Sequence, residues 1–287
     1  MLPEIALQSM YPVIMTPSHD GKYSHNCVLS LLNLLHDGTA RGLRMQISLL
    51  HGESLITRAR NNCVAQFLAN PDWTHLFWVD SDIGFTPQAA YRLLLSDYDI
   101  AVGAYPQKFD HWMVEGLPSE LNMEQFNNLF ATYGVHAHTS PNAPETTLAI
   151  QEDGFLKIKA APLGFSVIKR QVFEQLVVAH PDYRYIPDHP TLDEGFHYRF
   201  FDTAIDPDSQ HYLSEDLAFC QLWRQHGGEI YLDAYSNLNH QGTKLFTGNF
   251  SQSLINDPTK AVQCPPNQPI VLSGVEHLMP HPTHTNE

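Results

Sequence analysis

The sequence predicts an α/β fold, with strands and helices alternating through a single domain. Short apolar runs of strand length recur at residues 11–16, 43–50, 75–79 and 100–105. Between them lie segments whose apolar residues keep helical spacing. At 287 residues, 43% apolar and 11% aromatic, the chain can bury one large core or two modest ones. Strands alternating with helices imply parallel pairing through right-handed crossovers.

The elements follow in order. The first strand runs into the turn-rich loop 17–21. Ser24 is placed to cap a helix carrying Cys27, Val28, Leu31, Leu32 and Leu35, ending near Gly38. The second strand stops at Gly52, and Ser54 opens a helix bearing Thr57-Arg58-Ala59-Arg60-Asn61-Asn62. The third strand is followed by Thr86-Pro87, an N-cap with proline at N1, starting a helix through Leu95. Residues 108–152 have no persistent period and read as an excursion on one rim, not a domain. Residues 155–160 and 165–168 suit two strands joined by a tight turn at Gly164, with a short helix over 171–179. Residues 182–212, rich in Tyr, His, Asp and Pro, suit a mobile loop over a polar site. Ser214 is the expected cap of a last strong helix ended by Gly227-Gly228. A strand over 229–233 then leads into a polar loop over 237–242. The domain is expected to span 1–256, with 257–287 a polar, Pro- and His-rich tail, weakly ordered or draped on the surface.

Chemistry concentrates where the third strand ends. The apolar run 76–79 stops abruptly at Asp80-Ser81-Asp82. Strand alternation would point Asp80 and Asp82 the same way, at the carboxyl edge where open α/β sheets bind ligands. Two carboxylates there suit a hard divalent cation, and a cation there suits a diphosphate.

Composition excludes several classes. A net charge of −15 argues against a protein built to grip nucleic-acid phosphates. Cys27, Cys63, Cys220 and Cys264 are widely spaced without a C-x-x-C pair, the pattern of reduced, mostly buried thiols in a cytosol-like compartment. Histidines near the end, from His277 to His284, suit weak surface metal binding. No stretch reaches transmembrane length and no signal-peptide pattern opens the chain, so a soluble cytoplasmic protein is expected, with membrane-bound acceptors reachable only at its surface.

The apolar strand ending in Asp80-Ser81-Asp82, the Gly164-Phe165 turn, the Ser214-Glu215-Asp216 helix start and His240 after the next strand together resemble the GT-A-type glycosyltransferases. These are nucleotide-sugar-dependent enzymes with a Rossmann-type mixed sheet flanked by helices. The resemblance runs from about Val13 to Phe246 and is weakest over 108–152. It implies a metal-dependent transfer from a nucleotide-diphosphate sugar to a hydroxyl of a glycan or glycoconjugate. Asp80, Asp82 and His240 would hold Mn²⁺ or Mg²⁺, the imidazole favouring Mn²⁺. Asp80 and Ser81 would also meet the nucleotide, and the loop from Thr16, Pro17 and Ser18 would hold base and ribose. Asp216, beside Glu215, would face the acceptor hydroxyl as general base in an inverting enzyme. Gly164 would let backbone approach the sugar.

Lys108, Arg58 and Arg60 are the basic groups near the expected cleft. Side chains two apart on a helix diverge by about 200°, so at most one arginine faces it. The Arg58-Ala59-Arg60-Asn61 helix resembles retaining mannosyltransferases while the Glu-Asp helix start suits inversion, so stereochemistry stays open. Two other classes fit parts of the pattern. A nucleotidyltransferase also pairs aspartates with a metal, although Ser18-His19-Asp20-Gly21-Lys22 is a poor version of its glycine-rich basic loop. A non-catalytic nucleotide- or carbohydrate-binding protein would need no acid facing an acceptor.

Overall fold

The chain, described by a computed structural model over residues 1–109, 120–139, 143–188 and 193–278, is built round a seven-stranded mixed sheet. In chain order the elements are β1 (Pro12–Ser18), α1 (His25–Ala40), β2 (Gln46–His51), α2 (Ile56–Ala69), β3 (His75–Val79), β4 (Ile83–Gly84), α3 (Pro87–Leu95) and β5 (Ile100–Gly103). There follow α4 (Met123–Phe130), β6 (Val135–His136), β7 (Thr146–Ala149), β8 (Phe155–Ile158), β9 (Phe165–Lys169), α5 (Arg170–Ala179), β10 (Ala204–Ile205) and β11 (Tyr212–Leu213). The last are α6 (Glu215–Gln225), β12 (Ile230–Asp233), β13 (Asn239–Gln241), β14 (Leu245–Thr247), α7 (Phe250–Asn256), α8 (Pro258–Ala261), β15 (Val262–Gln263) and β16 (Ile270–Ser273).

The main sheet has the order β2-β1-β3-β9-β5-β12-β8. Neighbours β2, β1 and β3 run parallel, as do β5 and β12. Strand β9 lies antiparallel between β3 and β5, and β8 closes the far edge antiparallel to β12. The sheet is therefore the mixed α/β arrangement expected. All five residues of β3 are buried, and alternation divides them between two cores. Leu76 and Trp78 pack with Val13, Met15, Phe67, Phe173 and Phe219 on the face covered by α2, α5 and α6. Phe77 and Val79 pack with Ile14, Leu31, Leu94 and Phe165 on the face covered by α1 and α3.

Local signals account for some ends and not others. Ser24 caps α1 by accepting from Cys27 N at 3.2 Å, and Thr86 caps α3 by accepting from Ala89 N, with Pro87 at N1. Ser54 does not cap α2; Leu55 holds that position, and the Glu53 carboxylate takes Leu55 N instead. Ser214 holds the N-cap position of α6 as expected, but its side chain accepts no cap hydrogen bond, because Leu217 N donates to Asp216 Oδ1 instead. The loop expected over 237–242 contains β13, which pairs antiparallel with both β4 and β14.

Cys27, Cys63 and Cys220 are buried free thiols and Cys264 is half-buried. Among the described residues no helix is long and apolar enough to cross a membrane. Part of the stretch expected as a tail contributes structure: β15 pairs with β6, β16 with β7, and Leu278 is buried. Its later residues, 279–287, lie outside the described residues, as do 110–119 and 140–142 of the rim excursion and 189–192 of the expected mobile loop.

His75 at the head of β3 supplies a pH dependence. Burial, with the charge of Lys169 beside it, pushes its imidazole down from the ordinary value of 6.5 to about 4. Between those values the unfolded chain binds a proton that the folded chain refuses, so stability falls with pH below 6.5 by about 3 kcal/mol at pH 4. Urea midpoints at pH 7 and pH 4.5 should show His75→Asn losing much less on acidification than the parent. Equal losses would mean that His75 takes up its proton in the fold at no cost.

Candidate functional site

The chain turns as soon as β3 ends. Ile83 N donates to Asp80 O at 3.1 Å, so Asp80, Ser81 and Asp82 form a turn and not an extended strand end. The expected common direction of the two carboxylates, which rested on strand alternation, is therefore replaced by two different sets of partners. Ser81 offers its carbonyl to Ser24 N at 2.8 Å, fastening the start of α1 against this turn.

Asp80 meets Arg60, whose Nη2 donates to Oδ1 at 3.3 Å. Arg60 Nε donates to Glu215 Oε1 at 3.1 Å, so one guanidinium ties α2 to the end of β3 and the start of α6. Its side chain is 3% exposed and lies 5.0 Å from the Trp78 ring and 5.9 Å from that of Phe201. Burial alone would lower the pKa of the guanidinium, but Asp80, Glu215 and Asp216 reverse that and hold it charged. For Asp80, burial and the nearby Asp82 and Asp216 carboxylates outweigh Arg60 and raise its pKa. Arg58 points the other way, to Glu53 at 2.6 Å and Asp188 at 2.8 Å. Of the two arginines, Arg60 faces the carboxylates.

Asp82 is approached from two sides. Lys108 Nζ forms an ion pair with Oδ2, and His240 Nε2 lies 3.4 Å from Oδ1. Burial raises the Asp82 pKa, but these two partners overcome it and leave the carboxyl below its ordinary value. Strand β13 positions His240: it pairs with Ile83, and Gln241 N donates to Asp82 O at 2.8 Å. The other ring nitrogen, Nδ1, is 2.8 Å from Pro106 O. A carbonyl can only accept, so Nδ1 carries the proton there, and in the neutral ring Nε2 turns a lone pair towards the Asp82 oxygen. Two acceptors facing each other call for a proton or a cation between them.

Asp216 completes the group. Its Oδ1 accepts from Ser214 Oγ and from Leu217 N at 2.8 Å, leaving Oδ2 without a partner among the described residues. Tyr105, which sequence reasoning passed over, follows β5 as Asp80 follows β3. Its hydroxyl accepts from Gly164 N at 3.1 Å, and burial, with Asp80 and Asp216 nearby, pushes its pKa far up. Gly164 N and O bind Tyr105 and Asp80 respectively. A Cβ on Gly164 would collide with Asp80 Oδ2 and lie 2.5 Å from the Tyr105 oxygen, which gives the glycine a packing reason of its own.

The structure thus gathers Arg60, Asp80, Asp82, Lys108, Gly164, Glu215, Asp216 and His240 at one end of the sheet. Four carboxylates there face two permanent cations. Among the described residues, no three His, Cys, Asp or Glu side chains stand close enough to form a ready-made metal cage. Pro17 and Ser18 are set apart, lining a cavity of about 250 Å³ with Leu50, His51, Ala59 and Asn62. Thr16 beneath them is fully buried, and its hydroxyl has no partner among the described residues. Helix α2 joins the two places, giving Ala59 and Asn62 to the cavity and Arg60 to the carboxylates.

No family model matches the chain, and no curated protein matches it. Two of the solved structures to which the chain is similar follow. The protein A197 from STIV is 16% identical, with 84% of this chain and 95% of that chain covered and a TM-score of 0.43. The 4-diphosphocytidyl-2C-methyl-D-erythritol synthase from Anaerococcus prevotii is 10% identical, covering 76% and 99%, with a TM-score of 0.31. Likenesses this loose bear on no residue of the site.

Proposed function

We propose that the chain is a metal-dependent glycosyltransferase that moves a sugar from a nucleotide-diphosphate sugar to a hydroxyl acceptor. The observation that carries this reading is the pair Asp82 and His240, 3.4 Å apart, with Nδ1 of the imidazole committed to the Pro106 carbonyl. A backbone acceptor on the far nitrogen is the arrangement that aims the near one at a metal. The excess of carboxylates over cations suits a divalent ion, so the residues fit Mn²⁺ or Mg²⁺ on Asp82 and His240, with Asp80 beside them. When bound, such an ion supplies positive charge to the leaving diphosphate. Lys108, on a partly exposed flexible stem, shares Asp82 with the ion and is at hand for phosphate oxygens. The cavity beside Pro17 and Ser18 takes the nucleoside. Asp216, with a free oxygen, takes the proton of the acceptor hydroxyl.

The nucleotidyltransferase reading needs a basic first-strand loop to hold a triphosphate. Here Lys22, the only basic residue of that loop apart from His19, is paired with Asp20 at 2.6 Å. That favours the glycosyl reading.

A thermal-shift screen of nucleotide sugars with and without Mn²⁺ tests it. A donor at 100 times its dissociation constant adds about 2.7 kcal/mol, an easily seen shift. Free nucleoside diphosphate should then appear on addition of acceptor, whereas pyrophosphate release from a nucleoside triphosphate and a sugar phosphate would replace this reading with the other. Asp82→Ala should keep the fold and lose the Mn²⁺-dependent part of the shift, because the side-chain partners of its carboxylate are Lys108 and His240 at the site itself. An unchanged Mn²⁺ response in that variant would remove Asp82 from the metal site.

A further inference from the structure

A second cavity, of about 230 Å³, opens on the other side of α6 from Arg60. It lies between the β10–β11 hairpin and one face of the helix. Leu217, Gln221 and Arg224, spaced i, i+4 and i+7, line that face. Leu217 directly follows Asp216, and the Asp216 carboxylate lies near enough to the His136 ring in the cavity lining to act on its charge.

Its charge runs against the chain. The protein has 31 acidic and 16 basic residues, yet Lys159, Arg224, His136 and His211 all line this space against a single carboxylate, Asp206. Asp206 is held rigidly, its Oδ1 accepting from Asp208 N at 2.9 Å and Ser209 N at 3.2 Å. It reaches Lys159 only at 3.7 Å. Arg224 has no carboxylate within ion-pair distance among the described residues. Burial and the charge of Lys159, with a smaller contribution from His211, outweigh the Asp216 carboxylate and lower the His136 pKa, so that ring can donate one hydrogen bond without adding charge. An under-neutralised pair of cations facing a small, half-enclosed space attracts a compact anion.

We infer that this cavity is the acceptor subsite and that the acceptor carries an anionic group, a carboxylate or a phosphate monoester, which Lys159 and Arg224 hold while its hydroxyl reaches Asp216. The acceptor part rests on the transferase reading; the anion site does not.

The full chain, labelled with ¹³C in its histidine rings, is titrated with inorganic phosphate and separately with acetate. The rings of His136 and His211 should shift saturably, and the anion that binds more tightly distinguishes phosphoryl from carboxylate recognition. His180 and His226, whose Nε2 atoms lie 2.6 Å apart and which do not line this cavity, should not follow. Arg224→Gln should raise the dissociation constant at least tenfold, and Lys159→Gln, which also frees Asp206, should do the same or more. A linear response, or one that Arg224→Gln leaves unchanged, overturns the anion site. Saturable binding in a chain that retains no nucleotide sugar with Mn²⁺ overturns the acceptor role and the transferase reading together, while the anion site stands. With donor bound, anionic hydroxyl compounds should outcompete their neutral counterparts as acceptors. Equal use of both overturns the acceptor assignment alone.

Discussion

Asp216→Asn should keep donor binding within a few-fold of the parent and cut turnover by about 10²–10⁴, the contribution that a positioned general base makes. The substitution is close to isosteric. Asn Oδ1 can still accept from Ser214 Oγ and Leu217 N, so the side chain keeps its place at the start of α6. What is lost is Oδ2 as a base, an atom with no hydrogen-bond partner among the described residues. Glu215 cannot substitute for it, because its carboxylate is buried against Arg60 Nε. The pair of acids at the helix start thus divides into one that holds the site together and one that faces outward. Turnover and donor affinity measured side by side decide the matter. Near-normal turnover would reduce Asp216 to an acid that complements the helix dipole, and would favour a retaining mechanism. The anomeric configuration of the product, read by proton NMR, reports on that choice independently.

What the sequence revealed, and what it hid, follows from the range of the forces involved. Helix α3 was legible from Thr86 to Leu95 because its cap, its N1 proline and its apolar face are all encoded within ten residues. Ser54 and Ser214 carry the same local cap signal, yet neither side chain accepts a cap hydrogen bond, and only Ser214 holds the N-cap position. Leu55 holds the N-cap of α2 with its N–H on the Glu53 carboxylate, and Asp216 Oδ1 takes the Leu217 N–H that the Ser214 hydroxyl would otherwise accept. Competition between polar neighbours is invisible to a rule that reads one residue at a time. The polar triplet of β13 has no strand pattern of its own; its pairing with β4 makes it a strand, and that pairing sets His240 beside Asp82. The direction of β9, antiparallel between two parallel strands, is likewise a property of the whole sheet.

The site was legible in its residue types more than in its geometry. Asp80 and Asp82 stand out in any reading of the chain, but the turn after Val79 sends them to different partners. Helical geometry alone required that only one of Arg58 and Arg60 face the cleft, and only the packing of α2 against Trp78 selects Arg60. Tyr105 could have been noticed by position, since it follows a buried strand at the same edge of the sheet.

Arg60→Ala should be the most damaging single change to stability in the site, costing about 3–5 kcal/mol, the usual consequence of removing one partner of a buried ion pair. The arginine lies over the Trp78 and Phe201 rings and serves two carboxylates with different nitrogens, so its loss strands Glu215 and Asp80 together. Arg60→Lys should recover only part of the loss. An ammonium restores the charge, but it lacks the planar fork that reaches Glu215 through Nε and Asp80 through Nη2 at once. Acid supplies the check that separates charge from packing. A buried carboxylate deprived of its cation has a raised pKa, so its destabilisation is complete at neutral pH and relaxes as protons bind on acidification. The gap between Arg60→Ala and the parent in urea midpoint should therefore narrow from pH 7 to pH 5. A gap of constant size would assign the loss to the emptied space beside Trp78, and a gap under about 1 kcal/mol at pH 7 would show that the two acids tolerate each other without the arginine.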